Sequence, residues 1–372
     1  MLIAYTDKQQ LFISYQHSRQ ALRQFRQQLQ FFCPQCQQPV QLKIGKLNIP
    51  HFAHITNNCH HRFAEGESEL HLQGKIQLFE WLQARGHRVK LEPFLRTLSQ
   101  RPDLLLQGEH QQIAIEYQCS AITKENWQRR TAGYEKHNIQ ALWLFQTPQK
   151  KYTTNAIQKI RISPIHQNAI AYSFNNVPYL VTYDARAAKF NYWTNLLYVH
   201  GHTFIAKVLS IPLSKQQFPF YEPKPITHES FTIYKEIYIR LCQRYVMQKL
   251  LRSRQGVQDR FLRSCYEQNF SLNALPHYIG IPVKNARAIP MFSIEWQAIL
   301  LNYCRELQLL PYELRQEDIR LFLKILNVEP TEMGVQAVEN YGNLLGHRFY
   351  QMDCASAIWK RVYTYMYNQP FV

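Results

Sequence analysis

Apolar positions alternate or run in short blocks through the first half of the chain and recur at helical spacing through much of the second, so strands dominate early and helices late. Leu2 to Tyr5 and Leu11 to Tyr15 predict a β-hairpin, followed by a short basic helix through Leu22 and Phe25. Val40 to Ile49 alternates around Gly45, the pattern of a second small hairpin. A helix is predicted from about Glu65 to Ala84, with Leu72, Ile76, Phe79 and Leu82 as core positions and Ser68 as a cap. Two apolar runs, Leu104 to Leu106 and Ile113 to Tyr117, flank Gly108 in a polar connection. Closed symmetrically, that hairpin sets Leu106 opposite Ile113 and Asp103 opposite Glu116. Thr123 to His137 reads as a helix and Ile139 to Phe145 as a strand.

Further on, Ile157 to Ile162 and Tyr179 to Tyr183 are strand-like, and Phe190-Asn191-Tyr192-Trp193 is an aromatic stretch without readable chemistry. Pro219, Pro223 and Pro225 mark a boundary. From Ser230 the chain looks helical, is interrupted at Leu275 to Gly280, and resumes amphipathic runs from Ser293 to Leu309 and Leu314 to Val328. The expected organisation is an N-terminal hairpin and helix (residues 1–30), a small metal-binding element (31–62), an α/β domain (63–150), a mixed α/β extension (151–225) and a helical C-terminal domain (226–372).

Composition adds a partner class. The 372 residues carry 43 Lys plus Arg against 26 Asp plus Glu, a formal charge of +17, which favours a polyanion such as nucleic acid. The 23 Tyr and 21 Phe suit base stacking and ordinary cores equally. The N-terminus lacks a signal-peptide pattern, and no apolar stretch has the length of a membrane span. The eight cysteines show no disulfide-like spacing, so the sequence reads as a cytoplasmic protein with no membrane partner.

Three of those cysteines fall early among histidines. Cys33, Cys36, His54 and Cys59 follow C-x2-C, x17, H-x4-C, which can bring three thiolates and an imidazole around one tetrahedral zinc ion. His51 is an alternative to His54, and His60 or His61 to Cys59. Four soft or borderline ligands describe a closed structural site.

A second metal site is predicted at the central hairpin. Strand alternation puts Ala114, Glu116 and Gln118 on one face, with Asp103 beside them. Opposed carboxylates repel unless a cation lies between them, and magnesium or manganese would supply that charge and promote phosphodiester hydrolysis. Glu67, His71 and Lys75 fall at i, i+4 and i+8, one stripe if the helix reaches back that far: a solvated ion-pair ladder, or a source of a further carboxylate, Glu67, with Glu69 as fallback.

The order helix, strand, strand, helix, strand is that of the PD-(D/E)xK nuclease core. With it come Cys33-Pro34-Gln35-Cys36, His51-Phe52-Ala53-His54, Glu67-Ser68 with His71 and Lys75, Arg101-Pro102-Asp103, and Glu116-Tyr117-Gln118-Cys119-Ser120. Over roughly residues 30 to 145 this series resembles the competence protein CoiA family of transformable Gram-positive bacteria. The resemblance implies a nuclease-like domain, a preceding zinc-binding element, and a role in recombining imported single-stranded DNA. It also implies Asp103 and Glu116 as metal ligands, Glu67 as the helix carboxylate, and Gln118 where the superfamily most often has lysine. An amide can hydrogen-bond a water but supplies no charge.

Two function classes follow. One is a magnesium- or manganese-dependent deoxyribonuclease on single-stranded or branched DNA, in which Gln118 helps place water and Lys75 or Arg130 steadies a phosphate. The other is a non-catalytic DNA-binding or recombination-loading factor that meets recombination proteins. Between Lys235 and Arg263 the basic residues Arg240, Arg244, Lys249 and Arg252 form either a phosphate-contacting ridge or a solvated helix face, and this tail could equally bind a protein.

Overall fold

A computed structural model describes residues 1–55, 67–108, 111–148, 152–253, 256–346 and 354–367. The chain divides into two compact units, one comprising Met1–Lys151, Val181–Tyr192 and Ser210–Tyr221, the other Tyr152–Leu180, Trp193–Leu209 and Glu222–Val372. Residues 151–225 are thus shared between both units.

The first unit opens with β1 (Ile3–Thr6), β2 (Leu11–Ile13), α1 (Arg19–Gln28), β3 (Phe31–Phe32), β4 (Pro39–Lys43) and β5 (His51–His54). The strands form one sheet in the order β2-β1-β3-β4-β5. Phe12, Leu22, Phe31, Val40, Leu42 and Phe52 close its core, so the first predicted hairpin and the short helix share one apolar centre; the second differs from expectation, since β4 pairs with β5 (His51–His54) and the stretch from Ile44 to Pro50 around Gly45 is the connecting loop.

Next come α2 (Glu69–Ala84), β6 (Val89–Leu91), β7 (Leu104–Gln107), β8 (Gln112–Gln118), α3 (Lys124–Glu135) and β9 (Ile139–Gln146). Ser68 accepts the His71 N–H and Thr123 accepts the Asn126 N–H, so both helices begin at side-chain caps. Antiparallel β6-β7-β8 is extended by β9, which runs parallel to β8 with Glu116 opposite Trp143. Adjacent residues of β8 point to opposite faces, and the two helices divide those faces between them. Tyr117 lies against α2, while Glu116 meets Arg130 and Tyr134 of α3.

Gly74 makes the α2 contact possible, because a Cβ there would lie 2.0 Å from the Tyr117 ring. That ring is buried and its hydroxyl donates to Gln146 and Tyr183, so it cannot withdraw cheaply. Gly74→Ala is expected to destabilise the protein by about 3 kcal/mol through overpacking, read as a lower urea midpoint.

The remaining elements are β10 (Ala156–Arg161), α4 (Pro164–Asn168), β11 (Ala171–Tyr172), β12 (Pro178–Asp184), β13 (Lys189–His200), β14 (Thr203–Pro212), α5 (His228–Arg252), α6 (Arg260–Glu267), α7 (Ser293–Leu307), α8 (Gln316–Ile325), α9 (Glu332–Leu345) and α10 (Ala355–Tyr367). In the second unit β10 pairs antiparallel with β14, and a helical core gathers Phe231, Tyr238, Trp296, Phe322, Tyr341 and Trp359. Among the described residues no helix is long and apolar enough to cross a membrane.

Candidate active site

The β7/β8 ladder sets Leu106 opposite Ile113 and ends with Leu104 opposite Ile115. Asp103 lies one residue before β7, where its Oδ2 accepts the Tyr117 N–H at 2.8 Å and lies 3.1 Å from His71 Nε2. Lys75 Nζ is 3.7 Å from the other oxygen, Oδ1. The same ammonium donates to Glu67 Oε1 at 2.6 Å and to Glu92. Glu67 Oε2 takes the Met1 amino group at 2.7 Å, and Glu92 Oε2 takes the Leu2 N–H at 2.9 Å. The two residues before β1, Met1 and Leu2, therefore clamp the carboxylates that surround Lys75.

Within this network, ligand atoms of Glu67, His71 and Asp103 lie within 4.8 Å of one another, a group that could hold a metal ion. They open on a cavity of about 250 Å³ also lined by Arg101, Glu116 and Gln118. Two carboxylates and an imidazole suit manganese, which accepts nitrogen readily, and suit magnesium less, since it prefers an all-oxygen shell.

Several expectations about individual residues change here. Helix α2 does not reach back to Glu67, because Ser68 adopts an extended conformation as its cap; the Glu67–His71–Lys75 cluster forms through the loop instead. Lys75 has no exposed surface and direct carboxylate partners, so it cannot steady an incoming phosphate. Asp103 and Glu116 were expected to need a shared ion, yet each already has a protein cation. Glu116 Oε1 accepts Arg130 Nε at 3.1 Å, Arg130 Nη2 and the Tyr134 hydroxyl. Arg130 is spent on that pair and on the Arg101 carbonyl rather than offered to a phosphate. Gln118 donates its amide to the Ser120 carbonyl and hydroxyl, both at 3.0 Å, and stays on the cavity wall.

Two residues of the cluster carried no expectation. Glu92 is buried at a φ of +46°, a strained position for glutamate that the Lys75 and Leu2 bonds stabilise. A lone acid after a three-residue strand gives no sequence signal for such a role. Arg101 stood in the quoted Arg-Pro-Asp run without a function.

Charge states follow the geometry. Burial works to raise the Asp103 carboxyl, but His71 and Lys75 overcome it and hold the group at about 2. Glu67 is likewise held far below its ordinary range, with burial outweighed by Lys75 and the Met1 amino group. Burial pushes Glu116 above its ordinary value, against the pull of Arg130. A carboxylate whose folded pKa is depressed stabilises fully above its unfolded pKa and loses that contribution as pH falls through the folded value. With chelator present, Asp103 should supply about 2 kcal/mol above about pH 4, lost on acidification toward pH 2. Urea unfolding of wild type against Asp103→Asn across that window checks this: the gap between them should close.

The early cysteines form the second cluster. Cys33, Cys36 and His54 bring ligand atoms within 4.8 Å of one another, with Cys36 Sγ 3.3 Å from His54 Nε2. The knuckle turns at Gln37, whose φ is +58°, and the Cys33 thiol accepts the Gln35 N–H at 3.4 Å. Burial first, then Arg101 and the Met1 amino group, lowers the His54 pKa and favours the neutral imidazole a metal requires. His51 takes another path, its Nδ1 meeting the Ile49 carbonyl at 2.9 Å. Two thiols and an imidazole fit a tetrahedral zinc site completed by one more ligand. Cys59, His60 and His61 lie outside the described residues.

In the second unit, Lys249 is tied to Asp259 at 2.8 Å and Glu295 at 2.9 Å, bracing α5 against α6 and α7, which removes it from the basic ridge. Arg240 pairs with Glu236 at 3.1 Å on the surface, and Arg244 and Arg252 are exposed.

Comparison with known proteins agrees with this layout. The family model for the competence protein CoiA nuclease-like domain matches residues 67–223, which include the carboxylate cluster and the β7/β8 hairpin. The model for the CoiA N-terminal domain matches residues 14–62, which include the cysteine knuckle. A curated relative, competence protein CoiA of Bacillus subtilis (strain 168), is 28% identical over 284 residues, covering 74% of this chain and 72% of its own. No solved structure matches. With the two CoiA domain models matched in order over residues 14–62 and 67–223 and a CoiA relative aligned over 74% of the chain, the chain belongs to the competence protein CoiA family.

Proposed function

We propose that the protein is a manganese- or magnesium-dependent deoxyribonuclease with a PD-(D/E)xK core, acting on imported single-stranded or branched DNA during recombination in competent cells. The observation that carries this reading is the convergence of Glu67, His71 and Asp103 on one cavity at the end of the β7/β8 hairpin. These three residues would hold the ion, with Glu116 on the same cavity wall. A bound divalent cation would acidify water and stabilise charge on the transferred phosphoryl group.

The chain's own groups have separable tasks. Lys75 sets its ammonium beside Glu67 and Asp103, which places a fixed positive charge next to the reacting centre although Gln118 stands where a lysine is usual. Gln118, held by Ser120, is positioned to hydrogen-bond a water in the cavity. Arg130 and Tyr134 fix the Glu116 carboxylate. Cys33, Cys36 and His54, with Cys59 as the fourth ligand, would bind structural zinc.

The alternative, a DNA-binding or recombination-loading factor on the same scaffold, is favoured by the Arg130–Glu116 pair, which neutralises one carboxylate without any ion. Incubating the zinc-loaded protein with single-stranded, duplex and branched DNA, with and without manganese or magnesium, separates the two. Cutting that requires the divalent ion supports the nuclease; a protein that binds manganese and DNA yet never cuts supports the alternative.

A further inference from the structure

The cavity is lined by three carboxylates, Glu67, Asp103 and Glu116, and by two permanently charged side chains, Arg101 and Arg130, while the fully buried Lys75 and Glu92 stand outside the lining and reach it through Glu67. Lys75 is bonded to Glu67 and Glu92, and Arg130 to Glu116. Arg101 differs from both. Among the described residues its guanidinium makes neither an ion pair nor a hydrogen bond; only its main-chain carbonyl is engaged, by Arg130 at 3.1 Å. A guanidinium carries five N–H donors in a planar fork, and this one is half-buried on the cavity wall.

Its position is also shared between the two metal-ligand clusters. Arg101 lowers the pKa values of Glu67 and Glu92 on one side and of His54 on the other, so its charge is felt by the carboxylates and by the cysteine knuckle alike. Gln35, inside that knuckle, lines the same cavity. The neighbouring Pro102 fixes the backbone between this cation and Asp103, coupling a phosphate-sized donor fork to a metal-ligand candidate two residues away.

We infer that Arg101 is the phosphate-binding residue of the cleft, its guanidinium gripping a DNA phosphodiester between the Cys33–Cys36 knuckle and the Glu67–His71–Asp103 cluster. Paired N–H donors match two phosphate oxygens, which an ammonium cannot reproduce. The inference rests on reading the cavity as a phosphodiester site. Lys75 and Arg130 hold the carboxylates in place, and Arg101 is the cation left to meet the substrate.

The test is binding of a fluorescent single-stranded oligonucleotide to the full-length, zinc-loaded protein, desalted and assayed with no magnesium or manganese added, across a range of salt. Arg101→Gln should weaken binding about tenfold and lower the slope of log K against log salt by about 0.7, the loss of one phosphate contact. Arg101→Lys should keep most of the slope, and Lys8→Gln, an exposed charge in the β1–β2 turn, should change affinity less than twofold. A folded Arg101→Gln with wild-type slope, or Gln and Lys variants equally weak, overturns the assignment. Because no divalent ion takes part in this binding assay, it is independent of cleavage: if wild type never cuts DNA when manganese or magnesium is supplied, yet Arg101→Gln loses one contact here, the nuclease reading is refuted and Arg101 stands as the phosphate anchor.

Discussion

Replacing Lys75 by methionine is expected to lower the stability of the protein by about 3–5 kcal/mol, the cost of breaking a buried ion pair from one side. The ammonium has no exposed surface and touches Glu67 and Glu92, with Asp103 3.7 Å away. Methionine fills the volume but leaves those carboxylates buried with less positive charge, so they would have to take up protons or draw in water. Adding Glu92→Gln should recover part of the loss, because an amide at that position has no charge to compensate. Urea unfolding of the two single variants and the double measures this coupling, and strict additivity would show that Lys75 and Glu92 do not act as a pair.

The second large effect concerns Asp103. Asp103→Ala should reduce divalent-metal-dependent DNA cleavage by at least about 100-fold, more than is typical for residues that only support a metal ligand. DNA binding should stay near wild type or tighten slightly, since the substitution removes a negative charge from the cavity wall. A split between cleavage and binding is the sign of a chemical role. Parallel loss of both, in a protein that still folds, would instead make Asp103 part of the binding surface.

Much of this arrangement was legible in the sequence because it is local. The hairpin register follows from the lengths of two apolar runs around Gly108, and the ladder sets Leu106 opposite Ile113 as those lengths require. Ser68 and Thr123 announced the starts of α2 and α3. The grouping of Cys33, Cys36 and His54 came from ligand type and spacing.

What could not be read depends on contacts between distant segments. Glu116 was assigned to an ion by its strand face, but that face is covered by α3, whose Arg130 and Tyr134 reach it first. His71 appeared as one rung of a helix-surface ladder, and only the approach of Asp103 from another strand makes it a candidate ligand. Glu92 is recruited by Lys75 and by the Leu2 N–H, a partner 90 residues away. In the C-terminal region, Lys249 looked like one more basic residue on a helix until Asp259 and Glu295 closed on it. Helices α9 and α10 fall in the region expected to be helical but were given no bounds of their own, and the paired strands β13 and β14 were not anticipated, because β13 is buried on both faces and so shows little contrast between them.

The central claim is that Glu67, His71 and Asp103 hold a divalent ion, and manganese binding followed by electron paramagnetic resonance tests it most directly. Zinc-loaded wild type should bind one manganese ion in this cavity, and His71→Ala and Asp103→Ala should each weaken that binding at least about tenfold while still folding. Wild type that binds no manganese, or variants that bind it as tightly as wild type, would contradict the account.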